Sequence, residues 1–403
     1  MNVSGGSMKS NSILFFILFV NAQIVLAERI QNDNPVPTEI TLQQFKPKFI
    51  DENQPIIIDA EKEIVFGQSG MFSSHFHHYG KAIRDGINAA FKKINEQGGI
   101  NGKLLRLVSL EDFGNPLTSL KNVEYLMKEY KIKLFMGNMG TRSILNLLPL
   151  LESKSIALLF PWGGDKQLYN PNLKTVINGP GLLEPQIQAL VNFAKQQLKI
   201  SKVSIFHADD TFSTHAAQSL TAMLAAQGVT PVGTQSYNRF TLDIKSPAEA
   251  LMQGDPKLVF CIATSLPTVK LINNFFSQGH FGTTFLGVDS TAFVSHIVAP
   301  RGVTFYYSSS VPSPWSNSRL AQDYRRDIKD LIHDQAFNII SFEYYLAAKT
   351  IAQALKTVES PYSPLGVINS LEAMKDQDID GITVSFNPQN RHIFGESVQI
   401  IQD

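Results

Sequence analysis

The chain reads as an α/β protein built from two Rossmann-like lobes, on three observations. Six apolar strand patterns each end in a short loop rich in Gly, Ser, Thr or Asp, and each loop leads into a helical pattern. This grammar runs to about residue 180 and then restarts, and 403 residues exceed what one hydrophobic core usually supports. Open α/β sheets take their ligands beyond the carboxyl ends of parallel strands, so the polar loops are expected to face one shared site for a small polar molecule.

At the amino end, the run Ile13 to Val20 follows Lys9 and leads to Val25-Leu26-Ala27. These are the basic, apolar and small-residue regions of a secretory signal, expected over residues 1–27. The apolar run is short for a membrane span and is interrupted by Asn21 and Gln23. An uncleaved anchor is the alternative. No cysteine stands near the expected cut after Ala27, so a lipid anchor has no acceptor. Residues 28–60 mix Pro, Asn, Gln and charges without a period and read as an extension, a leader or packing arm.

The first strand, Ile64-Val65-Phe66, runs into Gly67-Gln68-Ser69-Gly70. From Tyr79 to Gln97 the residues Ile83, Ile87, Ala90, Phe91 and Ile94 share one helical face, and Gly98-Gly99 ends the helix. The strand Leu104 to Leu110 completes a βαβ unit, which specifies a parallel sheet. Strands at Leu134 to Met136 and Ile156 to Phe160 follow, ending in Gly137 to Thr141 and in Pro161-Trp162-Gly163-Gly164.

In the second block the pattern gives a helix over Glu184 to Leu198, a strand over Val203 to His207 ending in Asp209-Asp210-Thr211, a helix over Thr214 to Gln227 and a strand over Thr230 to Gln235. The strands Leu258 to Ala263 and Phe285 to Val288 end in Thr264-Ser265 and Asp289-Ser290-Thr291. A strand at Val303 to Ser309 precedes Val311-Pro312-Ser313-Pro314, whose prolines break either structure. Two long helices, Leu320 to Ile332 and Ile339 to Val358, come too late to extend the second lobe simply.

Several functions are disfavoured by composition and spacing. With 35 basic and 35 acidic residues, the chain offers no electrostatic footprint for nucleic acid. The single Cys261 sits in the apolar run Leu258 to Ile262, without a basic neighbour to activate its thiol. Asp209-Asp210 are adjacent in a loop and point apart, and no nucleophile motif accompanies them, so no catalytic residue and no enzyme is expected. His75, His77 and His78 lack an acid or Cys at ligand spacing and read as a loop at a cleft mouth, with no metal. Gly67-Gln68-Ser69-Gly70 lacks the third glycine and the lysine of phosphate motifs, so no cofactor is expected.

The motifs now assembled resemble type I periplasmic solute-binding proteins, in the leucine/isoleucine/valine-binding branch that serves ABC importers. The resemblance is carried by Asn95-Glu96-Gln97-Gly98-Gly99-Ile100-Asn101-Gly102, Leu104 to Leu107, Glu111-Asp112, Gly137 to Thr141, Asp209 to Phe212, Arg301-Gly302-Val303, Val311 to Pro314 and Ser341 to Lys349. It runs from about residue 62 to the carboxyl end. It implies two lobes joined by a three-segment hinge, with crossings near Pro180, near Ser308 to Pro312 and near Ser385. Lobe 1 would then hold residues 61–180 and 312–384, and lobe 2 residues 181–311 and 385–403. The two late helices would return to lobe 1.

The same resemblance implies the ligand contacts. Thr141 and the backbone of Trp162, Gly163 and Gly164 would hold a ligand carboxylate, since exposed N–H groups and a hydroxyl make an anion site. Thr141 could instead cap a helix starting at Arg142, the glycines then only making a turn. Gly164 stands where relatives often carry Thr. Asp289 would pair with a ligand ammonium, or else cap a segment over Ser290 to Ile297. Phe212 replaces a frequent Tyr and keeps an apolar wall; Trp162 offers a second one or merely packs. Ser69, Thr264 and Ser265 join the candidates by their loops alone. Arg142 is expected to point to solvent.

Together these readings lead to a monomeric periplasmic protein that captures an amino acid or amino-acid-like molecule between closing lobes and delivers it to an ABC permease in the inner membrane. A binding or sensing protein for a small amide or carboxylate, acting with a separate signalling partner, is the alternative.

Overall fold

The computed structural model describes residues 45–50, 56–179, 181–294, 297, 300–332, 337–359, 362–394 and 397–402. The expected signal segment 1–27 and Pro180 lie outside the described residues. The fold begins at Pro47.

The first sheet is assembled from β1 (Lys48–Phe49), β2 (Glu63–Gly70), β3 (Leu104–Glu111), β4 (Leu134–Met136), β5 (Ala157–Leu159) and β6 (Val176–Ile177), in the order β1-β3-β2-β4-β5-β6. All pairs are parallel except β1 with β3. Within the expected extension, then, residues 48–49 form an edge strand. Phe49 sets its ring edge-on to Tyr125 and Tyr130, and the strand covers an edge that would otherwise offer unpaired backbone groups.

Between β2 and β3 runs α1 (His77–Glu96). Its end explains the Asn-x-x-Gly-Gly-Ile-x-Gly stretch. Asn95 accepts from Leu105 N–H at 2.7 Å and donates to Leu105 C=O at 2.8 Å, so the last helical turn is pinned to β3. Gly99 has φ +72°, and a Cβ there would lie 2.1 Å from Lys103 O; no other residue fits. The sheet is completed by α2 (Pro116–Tyr130), capped by Asn115, and by the short α3 (Thr141–Leu145) and α4 (Leu148–Glu152).

The second block contributes α5 (Leu183–Phe193), β7 (Val203–Ala208), α6 (Thr211–Ala226), β8 (Gly233–Tyr237), α7 (Lys245–Met252), β9 (Leu258–Ile262), α8 (Ser265–Ser277), β10 (Thr284–Gly287) and β11 (Thr304–Ser309). Its sheet runs β15-β11-β10-β9-β7-β8, where β15 is Gln399–Gln402 and pairs antiparallel with β11. Every residue of β7 and of β9 is buried, the pattern of parallel strands covered by helices on both faces. Cys261 is among them, and burial pushes its thiol pKa up, which keeps it an inert apolar residue. The α5 helix ends at Phe193, short of the expected Leu198, because residues Ala194–Leu198 widen into a π-turn. The strand expected at Thr230 starts only at Gly233.

The late helices α9 (Arg319–Leu331) and α10 (Ile339–Leu355) pack on α1. The approach is close at Gly86, where a Cβ would lie 2.1 Å from Ser341 O. After α11 (Pro364–Glu372), the strands β12 (Gln377–Ile379), β13 (Ile382–Asn387) and β14 (His392–Phe394) make a small antiparallel sheet not foreseen from sequence. It stays beside the first sheet: Asn178 bridges His392, and Phe394 stacks on Phe160 at 5.3 Å. The chain joins the second sheet at β15, beyond Phe394.

The stretches around the first two expected crossings touch each other, and β14 reaches the first of them. Gly181 N–H donates to Ser310 Oγ at 3.2 Å, and His392 Nε2 lies 2.7 Å from Gly179 O. Among the described residues no helix is long and apolar enough to cross a membrane.

Candidate functional site

Six of the expected residues, Thr141, Trp162, Gly163, Gly164, Phe212 and Asp289, lie on the loops and turns through which the two lobes approach each other. On the first lobe, the β4 and β5 loops are laced together: Trp162 N–H donates to Asn138 O at 2.8 Å, and Gly140 N–H donates to Trp162 O at 3.0 Å. This brings Gly164 N–H to Thr141 Oγ1 at 3.3 Å. Thr141 is the first residue of α3, whose N-cap is Gly140, so the capping role considered for its hydroxyl is not what it does. A hydroxyl that accepts from Gly164 keeps its own proton to donate outward. Gly163 is held tightly, since a Cβ there would lie 2.8 Å from Ile144 Cδ1. Arg142 is exposed, as expected.

Phe212, at the start of α6 in the second lobe, reaches across to Gly164. A Cβ at Gly164 would lie 2.6 Å from its Cζ. The missing side chain at Gly164 and the large ring at Phe212 are one arrangement: the ring tip fills the space a threonine would need.

Asp289 opens a single 3₁₀ turn, Asp289–Thr291, after β10, rather than a longer helix. Its Oδ2 accepts from Gln186 Nε2 at 2.8 Å, while its N–H donates to Gln186 Oε1 at 3.1 Å. Asp289 as a residue is half-buried. Burial raises its pKa, and the Gln186 hydrogen bond partly opposes that rise.

Two expected residues have other duties. Ser69 is fully buried; its Oγ donates to Asp112 Oδ2 at 2.9 Å and accepts from Asn122 Nδ2 at 3.1 Å, on the α2 side of the sheet. Its alternating position on β2 turns it away from the other lobe, and it leaves the candidate site. Ser265 is also buried, but at the lobe interface: its N–H donates to Tyr79 Oη at 2.9 Å, its Oγ lies 2.9 Å from the same phenol, and it accepts from Phe293 N–H at 3.0 Å. Its groups are thereby occupied by protein. Thr264 precedes α8 and hydrogen-bonds with the phenol of Tyr237.

Tyr79, Gln186, Phe293, Tyr169 and Glu343 were not foreseen. Tyr79, on α1, donates to Ser290 O in the second lobe, stacks on Trp162 at 4.9 Å and meets the edge of Phe293 at 5.0 Å. Its aromatic neighbours thus come from both lobes. His78 meets Phe293 edge-on at 4.9 Å, while His75 and His77 are exposed. Among the described residues no group of three His, Cys, Asp or Glu could hold a metal. Glu343, on α10, is 4 % exposed and its Oε1 has no hydrogen-bond partner. The signal for it was an acid inside the otherwise apolar stretch Ser341 to Ala348. Two surface hollows, of about 450 Å³ beside Ser363 and about 740 Å³ between α1 and β3, lie apart from these residues.

The periplasmic binding protein family matches residues 63–402. The chain belongs to this family. It is a family of solute-binding proteins rather than enzymes. Among curated relatives, this periplasmic binding protein is 22% identical over 201 residues to an "Amino acid binding protein" of Pseudomonas aeruginosa, covering 50% of this chain and 54% of that one. The chain thus spans about half the length of the curated relatives it matches. Its fold is similar to that of a possible leucine/isoleucine/valine-binding protein from Rhodopirellula baltica, with TM-score 0.75 and 21% identity over 84% of this chain and 93% of that one. It is also similar to a branched-chain amino acid transporter substrate binding protein from Streptococcus pneumoniae in complex with isoleucine, with TM-score 0.72 and 16% identity over 85% of this chain and all of that one.

Proposed function

We propose that this periplasmic binding protein captures an amino acid or a close amino-acid-like molecule between its lobes and delivers it to an ABC permease. The reading is supported by the pairing of Thr141 Oγ1 with Gly164 N–H on one lobe, by the Phe212 ring meeting Gly164 from the other, and by Asp289 at the end of β10. A ligand carboxylate would accept from the Thr141 hydroxyl and an ammonium would meet Asp289, while Tyr79, Trp162 and Phe293 form the apolar wall. Such charge-assisted bonds are strongest where water is excluded. The amino-acid ligands named for two of the similar proteins agree with this assignment.

A small amide or carboxylate is the second reading, favoured by the Phe212 ring lying in the space next to Gly164. Asp289 would repel a carboxylate that lacks a cation.

The two readings separate in a thermal-shift screen of amino acids, amides and small carboxylates, followed by calorimetry, because a ligand bound only by the native form raises its melting temperature. Asp289→Ala is expected to abolish binding of an ammonium-bearing ligand with melting temperature near that of the wild type. Unchanged affinity would remove Asp289 from its role.

A further inference from the structure

Tyr79 belongs to α1 on the first lobe, yet the hydrogen bonds of its phenol go to the second. The oxygen accepts from Ser265 N–H at 2.9 Å, lies 2.9 Å from Ser265 Oγ and donates to Ser290 C=O. Ser265 opens α8, so its N–H is one of the donors that a helix start leaves unpaired, and the phenol oxygen satisfies it. Ser290 Oγ donates to Ala263 O at 2.9 Å, which joins the loops after β9 and β10 into one wall. On that wall Phe293 N–H donates to Ser265 Oγ at 3.0 Å, and the Phe293 ring stands at 90° to the Tyr79 ring, 5.0 Å away. The wall thus offers a donor, an acceptor and a ring contact, which is what a phenol needs. From the first lobe, Trp162 stacks on the same ring at 4.9 Å and 28°. Tyr79 is fully buried between them. The first lobe also delivers the ring rigidly, because α1 begins so close to the end of β2 that a Cβ at Gly80 would lie 2.1 Å from Met71 O. A second contact runs the other way, from the Phe212 ring to Gly164.

We propose that the second lobe carries a phenol-binding slot, filled by the tethered side chain of Tyr79, and that this occupant holds the lobes closed through protein contacts alone. The proposal goes beyond the amino-acid reading and does not depend on which solute the cleft takes. A phenol seated in the slot bridges the lobes, since its hydroxyl is bound by Ser265 and Ser290 while its ring rests on Trp162. Binding of a solute then starts from a population that is already closed, so its affinity is not reduced by a rarely populated competent state.

The test uses the full chain, unfolded in guanidinium, dialysed to remove any carried solute and refolded. Small-angle scattering of the wild type should give the radius of gyration calculated from this structure. Tyr79→Ala should give a larger radius and leave a cavity of the kind small aromatics enter. Phenol supplies the ring and hydroxyl that alanine lacks, so it should return the radius to the wild-type value; benzene, without the hydroxyl, should not. In calorimetry phenol should bind Tyr79→Ala at least about tenfold more tightly than the wild type, whose slot is filled. Tyr79→Phe keeps the ring packing and loses only the hydroxyl bridge; it must expand as well, and phenol must leave it expanded, so the outcome does not hinge on the folding of the alanine variant. A wild-type radius larger than that of this structure, a Tyr79→Phe radius equal to wild type, or an expanded Tyr79→Ala protein that phenol does not compact would overturn the proposal. Failure of every amino acid to bind the wild type would remove the amino-acid reading and leave the slot standing.

Discussion

Gln186 Nε2 donates to Asp289 Oδ2 at 2.8 Å while Gln186 Oε1 accepts from Asp289 N–H at 3.1 Å, so one amide grips both ends of the same residue. The same amide accepts from Ser308 Oγ at 2.9 Å and donates to Gly181 O at 3.3 Å. Gly181 and Ser308 lie where the first two crossings between the lobes are expected. A single side chain, at 1 % exposure, therefore contacts both the candidate site's acid and these two stretches.

Gln186→Leu leaves Ser308 Oγ and both Asp289 groups without their partner. Each buried polar group left unpaired costs about 1–3 kcal/mol, so a loss of at least about 3 kcal/mol in urea unfolding is expected. Ligand affinity should fall as well, because Asp289 loses the bond that holds its carboxyl in place. A variant as stable as the wild type, with unchanged affinity, would show that the Gln186 contacts do not hold the acid.

Tyr79→Phe tests the link between the lobes. The phenol bonds to Ser265 and Ser290, both on the second lobe, whereas its ring sits on the first. Removing one oxygen should favour the open form by about 1–2 kcal/mol, lowering ligand affinity roughly five- to thirtyfold. Small-angle scattering of the ligand-free variant should give a larger radius of gyration than wild type. An equal radius and equal affinity would mean that the phenol contributes nothing to closure.

The fold was legible in the sequence because parallel strands buried on both faces leave unbroken apolar runs, as in Val203–Ala208 and Leu258–Ile262. The small sheet at Gln377–Phe394 was not, since its strands are short and half-exposed. Of the candidate site, the proposed residues Thr141, Trp162, Gly164, Phe212 and Asp289 all come from the junctions that follow strands, which the sequence marks by Gly, Ser, Thr and Asp. Ser69 misled because it lies within β2 and not in the loop after it, and strand alternation turns its side chain to the α2 side of the sheet. Tyr79, Gln186 and Glu343 sit within helices, where one polar residue among apolar ones reads as ordinary amphipathic pattern until packing reveals what it faces.

Gly164→Thr and Phe212→Ala should be coupled. A side chain at Gly164 meets the tip of the Phe212 ring, which is 36% exposed and can swing aside. Gly164→Thr alone is expected to weaken ligand binding by about 1 kcal/mol or more, and the added Phe212→Ala should recover most of that loss. Strictly additive effects in a double-mutant cycle would separate the two positions.

Asp112 provides a test by pH. It is fully buried, accepts from Ser69 Oγ at 2.9 Å and from Gly114 N–H at 2.8 Å, and burial raises its pKa from 3.8 to about 6. A carboxyl whose folded pKa exceeds its unfolded value favours the folded state while protonated. That contribution is complete below about pH 4 and is lost as pH rises through 6. The loss amounts to roughly 3 kcal/mol for a shift of about two units. Asparagine does not titrate, and its side-chain oxygen can still accept from Gly114 N–H while its amide faces the Ser69 hydroxyl. The stability of Asp112→Asn relative to wild type, from urea unfolding at successive pH values, should therefore rise by about 3 kcal/mol between pH 4 and pH 7.5 and level off beyond. A difference independent of pH would mean that Asp112 is ionised in the folded protein throughout, and that its hydrogen bonds outweigh its burial.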